Sequence, residues 1–186
     1  MSLRADGRKN RQRILDTAEA IFAEQGFDAS LEHIATQAGV SRMTLYRHFK
    51  DRETLCIAVL ERNVAELELR VEALQDDPYA CVEIMNMMVE LFAHNQGMVE
   101  GLTRHPTHQN DIDRLRHRVV DLLVDPLSRA QTAGLIKTDI GREDLFLVMS
   151  MLGAAVGHGS LQTRTEHVRR ALNILQFGFM CSTDEK

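Results

Sequence analysis

The sequence predicts an all-α protein: an N-terminal three-helix head with a helix-turn-helix, followed by a longer all-helical body. Three observations carry that expectation. Ala, Leu, Glu, Met and Arg dominate the long segments, Trp is absent and only three Pro occur, a composition that favours helix over strand. Residues 31–50, LEHIATQAGVSRMTLYRHFK, have the spacing of two short helices that cross through one tight turn. No alternating apolar and polar run marks a strand, and 186 residues suffice for a sizeable core.

Ile14, Leu15, Ala18, Ile21 and Phe22 mark a first amphipathic helix from about residue 9 to Gln25, stopped at Gly26. Leu31, Ile34, Ala35 and Ala38 then line one face of a second helix, and Gly39 follows where a left-handed residue must close it. Ser41 is placed to cap the third helix, whose Leu45 and Phe49 turn back toward the second. The outer face of that third helix is left with Arg42, Thr44, Tyr46, Arg47, His48 and Lys50, all hydrogen-bond donors to a base edge or a phosphate. Asp51 caps a longer helix through Leu55, Val59, Val64 and Val71 to a stop at Asp76, Asp77 and Pro78. We therefore divide the chain at 1–50 for the head and 51–186 for the body.

In the body, a helix from about Tyr79 to Asn95 is apolar nearly all round, which predicts a central, buried position. Gly97 and Pro106 bracket a short helix, and another runs from about His108 to Ala133, with Pro126 as a kink or a fresh start. Helices at about Arg142–His158 and Thr165–Phe179 follow, and Ser182–Lys186 read as a tail.

Charge is sorted along the chain. Residues 1–52 hold nine Lys and Arg against seven Asp and Glu, whereas residues 53–186 hold 13 against 20. A basic head on an acidic body presents the right face to nucleic acid and repels the wrong ones. The three cysteines, Cys56, Cys81 and Cys181, stand far apart in no metal or CxxC spacing, as in a reduced, cytoplasmic protein. The charged opening, Arg4 to Arg13, does not have the pattern of a signal peptide. Leu145–Thr163 lacks charged residues, but its strongly apolar part, LFLVMSMLGAAV, is too short to span a bilayer.

Enzyme chemistry finds little footing. Gly157-His158-Gly159-Ser160 is not the GxSxG elbow, and no acid/base pair or phosphate loop appears. His94, His105 and His108 are interrupted by Pro106 and lack a Cys or carboxylate at ligand spacing, so neither a metal nor another cofactor is expected.

The run from Arg13 to Leu55 carries R-I-L-D-T-A-E-A-I-F-A-E-Q-G-F-D-A-S, then I-A-T-Q-A-G-V-S, then T-L-Y-R-H-F. It resembles the TetR family of bacterial transcriptional regulators. Arg52 stands where that family often has Lys, and Met43 where a small residue is frequent. The resemblance implies a ligand-responsive homodimeric repressor that reads a near-palindromic operator in double-stranded DNA. The last two long helices would pair across the dimer, and Gly153, Gly157, Val168, Leu172, Leu175 and Phe179 are the interface residues expected there. Arg42 and Thr44 would read base edges; Ser30, Tyr46, His48, Lys50 and Arg52 would bind phosphates, and Arg47 would do either. A small-molecule effector, largely apolar, would sit in the body against Met85, Met88, Phe92 and Leu102. An architectural DNA-binding protein without an effector is the alternative.

Overall fold

The computed structural model describes residues 3–74, 77–104 and 106–179, the side chains of residues 3, 4, 106, 177 and 179 excepted. Asp76, His105, Cys181 and the 182–186 tail, all named above, lie outside the described residues. Within them the chain forms α1 Leu3–Gln25, α2 Leu31–Gln37, α3 Arg42–His48, α4 Arg52–Glu72, α5 Ala80–Thr103, a 3-10 turn Pro106–His108, α6 Gln109–Thr132, α7 Arg142–Ala155 and α8 Leu161–Phe179. No strand occurs among the described residues, so the chain is all-α.

The chain divides into two compact units. Residues 1–62 and 94–113 form the first, and 63–93 and 114–186 the second. Helices α4, α5 and α6 each supply residues to both, so these units do not coincide with a division at residue 50.

Local chemistry sets the ends of the first unit's helices. Gly26 and Gly39 have φ of 75° and 62°, backbone that glycine adopts without a Cβ clash. Ser30 Oγ accepts from the His33 N–H and Ser41 Oγ from the Thr44 N–H, at 3.3 and 3.1 Å, each satisfying an otherwise orphaned helix donor. Asp51 caps α4 in the same way, accepting from the Thr54 N–H at 2.8 Å and its hydroxyl at 2.5 Å. Burial pushes the Asp51 carboxyl up, but the Thr54 bonds and nearby Lys50 together hold it below its ordinary value.

The core of this unit comprises Ile14, Leu15, Ala18, Phe22, Ile34, Leu45, Phe49 and Leu55, all buried. Arg62 locks α4 against α1: it reaches Asp16 and Glu19, each at 2.6 Å, from a side chain only 13% exposed. Helix α1 starts earlier than expected, at Leu3, so the whole basic stretch Arg4 to Arg13 is helical.

The sequence predicts a helix end near Asn95 and a separate short helix opening at Gly97, yet α5 runs straight through both. The reason is close packing. A Cβ at Gly97 would come within 2.9 Å of the Gly26 Cα, and one at Gly101 within 2.0 Å of the Phe27 ring. These glycines admit the α1–α2 loop against α5, and a helix tolerates such residues at about 1 kcal/mol each.

In the second unit α7 packs on α8, and charged pairs tie the other helices together. Arg118 holds Glu68 at 2.7 Å, Arg142 holds Asp121 at 2.8 Å and Arg169 holds Glu90 at 3.1 Å. Gln131 Nε2 clasps the α6–α7 connection by donating to the Lys137 and Ile140 carbonyls, both at 2.8 Å. Helix α6 is one helix through Pro126.

Two interface expectations are corrected here. Gly157 does not share a helix with Gly153: α7 ends at Ala155, and Gly157 has φ of 63° in the turn that follows. A Cβ on Gly153 would meet the Phe92 ring at 3.7 Å, so that glycine faces α5 of its own chain. Val168 and Leu172 are fully buried within the single chain. They belong to the core of the single chain. Leu175 is half-buried, and the Phe179 side chain lies outside the described residues.

Candidate DNA-reading site

Helix α3 is two turns long and is held from below by Leu45, 0% exposed, and by Phe49 just beyond its end. With that face buried, Arg42, Met43, Tyr46 and Arg47 are left exposed on one surface, with Lys50 beyond. Arg42 pairs with Glu32 of α2, and its guanidinium lies 5.6 Å from the centroid of the Tyr46 ring. Lys50 is 87% exposed, with Asp51 3.7 Å away, a separation at which solvent leaves little net attraction.

The other predicted contacts are placed differently. Thr44 is half-buried, and its hydroxyl shares a 2.9 Å hydrogen bond with Ser41 Oγ, so it belongs to the cap of α3. The Ser30 hydroxyl is exposed but occupied in capping α2. His48 is half-buried, and its Nε2 is buried without a hydrogen-bond partner. Burial, then the charges of Arg47 and Arg11, hold its imidazole below the ordinary value. A neutral, shielded ring is a poor phosphate ligand.

Arg52 departs most from expectation. Its side chain is 27% exposed and turns inward. Nη1 donates to the Phe27 carbonyl at 3.0 Å and to Asp28 Oδ1 at 3.4 Å, and the guanidinium lies 5.5 Å from the Phe27 ring centroid. Arg52 therefore fastens the α1–α2 loop, and its geometry leaves it turned away from the surface of α3.

Two residues of this surface were outside the predicted set. Met43 is 82% exposed in the first turn of α3, an apolar group able to meet a thymine methyl; its departure from a small residue was the available signal. Glu32 gave no signal, because nothing local ties a residue of α2 to Arg42.

Of the proposed effector residues, Met85 and Met88 are buried and Phe92 half-buried in the second unit, and Leu102 is buried in the first. Cys56 and Cys81 are fully buried free thiols; burial pushes the first well up and the second to about 11. Among the described residues no group of three or more His, Cys, Asp or Glu is arranged to hold a metal, and no helix is long and apolar enough to cross a membrane.

These features define an all-helical protein whose N-terminal unit presents a capped helix-turn-helix. Known proteins share it. Residues 14–59 match the model of the bacterial regulatory proteins of the tetR family. An HTH-type transcriptional regulator of Staphylococcus aureus is 35% identical over 89 residues, 47% of this chain and 48% of that protein. The match thus spans about half the length of such curated relatives. Over nearly the full chain, the crystal structure of a TetR transcription regulatory protein from Mycobacterium vanbaalenii aligns with a TM-score of 0.72 at 25% identity, covering 97% of this chain and 100% of that one. A TetR transcriptional regulator from Streptomyces coelicolor gives 0.72 at 27% identity, with 93% and 99% covered. The repressor of a Stenotrophomonas maltophilia multidrug efflux pump shares the fold, with a TM-score of 0.59 at 22% identity over 93% of this chain and 91% of that one. Residues 14–59 are thus those of the tetR family of bacterial regulatory proteins, and the chain as a whole shares the fold of TetR transcriptional regulators.

Proposed function

We propose that this chain is a cytoplasmic, homodimeric transcriptional regulator, acting as a repressor, that binds a near-palindromic operator and releases it when a small, largely apolar effector enters the helical body. The exposed, capped face of α3 is the observation that carries the reading, because a buried stripe below and donors above are what a helix needs to lie in a major groove. Residues 1–50 hold the reading surface, and residues 51–186 serve the effector and the partner subunit. Arg42 reads a base edge, Met43 lies against the floor of the groove, and Tyr46, Arg47 and Lys50 fix the register on phosphates.

Leu147 and Met151 of α7 and Ile174 of α8 are 58%, 47% and 62% exposed. These apolar side chains are our candidates for the dimer face, in place of Val168 and Leu172. A two-fold axis would set the half-sites about 34–36 Å apart, or a multiple of that.

Selection of bound sequences from a random duplex pool, with and without a metabolite panel, tests the proposal. A two-fold symmetric site should be enriched, with affinity falling steeply as salt rises, and at least one metabolite should release it. Failure to enrich any site overturns DNA reading. An enriched site that no metabolite releases would favour the architectural alternative.

A further inference from the structure

We propose that Glu32, on the helix before the recognition helix, is a specificity-determining residue that positions Arg42 by fixing which edge of its guanidinium faces the DNA. The inference rests on the DNA-reading function proposed above and deepens it by naming the base.

Arg42 is held twice. Its Nη1 pairs with Glu32 Oε1, and its Cζ lies over the Tyr46 ring, 5.6 Å from the centroid. A guanidinium offers two bidentate edges, Nη1 with Nη2 and Nε with Nη2. Glu32 occupies Nη1, so the edge left free is Nε with Nη2, while the tyrosine ring beneath limits rotation of the group. Guanine presents O6 and N7 side by side in the major groove, two acceptors that match such an edge; adenine presents one acceptor and one donor. The partner is therefore duplex DNA with a guanine facing Arg42 in each half-site.

Glu32 also has an opposite effect on binding at large. The two side chains are 65% and 63% exposed, so a duplex can approach both, and the carboxylate repels its phosphates. Replacing Glu32 by Gln removes that repulsion and frees Arg42 to rotate. Positioning thus predicts tighter binding to random duplex together with poorer discrimination. A surface pair is worth up to about fivefold in an equilibrium, which bounds the effect.

The test measures binding of the full chain and of the variants E32Q, E32D and R42A by fluorescence anisotropy. The duplexes are the selected site, the same site with 7-deazaguanine replacing each half-site guanine in turn, and a random duplex. Removing N7 at one guanine should weaken wild-type binding by about fivefold or more. That penalty should disappear in R42A, shrink twofold to about fivefold in E32Q and persist in E32D, which keeps the charge, while E32Q binds the random duplex more tightly than wild type. The inference is overturned if no guanine shows a penalty, or if E32Q keeps the full penalty, including the case in which it binds every duplex better by one common factor. Absence of any selected site would instead remove the DNA-reading function. Circular dichroism and melting temperature matching wild type establish that E32Q is folded.

Discussion

Replacing Arg52 by Ala separates a loop fastener from a phosphate ligand. In the structure its guanidinium donates to a partly buried Phe27 carbonyl at 3.0 Å and lies against the Phe27 ring. A charge-assisted bond of that kind contributes about 1.5–3 kcal/mol, and the ring contact about 0.5–1 kcal/mol. The pair with Asp28, whose side chain is 83% exposed, adds little. These contributions share one side chain and do not sum, so the expected loss is about 2–3 kcal/mol. In a chain of this size that lowers Tm by roughly 4–12 °C. Lys at this position keeps the charge but not the planar fork, and should fall between the two. The assay is a thermal melt beside a salt titration of operator binding, with DNA affinity measured well below Tm. The reasoning fails if R52A melts with wild type while the salt dependence of binding drops by about one phosphate contact, since that is the signature of Arg52 on DNA.

Three further predictions follow from geometry and titration. Ala at Gly101 would place a Cβ 2.0 Å from the Phe27 ring, whereas Ala at Gly7 in α1 meets nothing within 4 Å; crowding costs about 1–3 kcal/mol against a helix-propensity gain of about 1 kcal/mol. Melting should therefore show G101A below wild type and G7A at or above it, and the reverse order would refute the packing argument. His48 has a folded value depressed below its ordinary 6.5, so its contribution to stability is fully present above pH 6.5 and declines as pH falls through the lowered folded value; an NMR titration placing His48 above 6.5 would contradict the burial argument. Cys56 and Cys81, both 0% exposed, should resist iodoacetamide at pH 8 in the native protein and react once it is unfolded in guanidinium, as peptide masses would report. Rapid native labelling of either would show that these thiols are accessible.

The parts of the fold legible in the sequence are those whose causes are local. Gly39, Ser41 and Asp51 mark helix ends through neighbours within five residues, and the apolar stripes of α1 to α3 identify their own buried faces. Gly97 could not be read that way: a glycine that ends a helix and one that admits another backbone look alike until the partner, Gly26, is known. Arg52 was misplaced for a related reason. Beside Lys50 and Arg47 it resembles one more phosphate ligand, but its main partner is a backbone carbonyl, which leaves no mark in the sequence. Gly153 and Gly157 had one-turn spacing, yet the chain leaves the helix between them. On the exposed face of α3, the outward placement of Arg42 was legible from its position in the first turn, and its tie to Glu32 was not.

The brevity of α3 has a consequence for anyone wishing to borrow its reading surface. Seven residues, Arg42–His48, fall well below the length of about 12–15 at which an isolated helix holds together in water. A synthetic peptide copying residues 41–50 should therefore be a random coil and a poor decoy for the operator. Transplanting the specificity would require a host that supplies the anvil as well as the die: the core under Leu45 and Phe49, the Ser41 cap and the α1–α4 lock through Arg62.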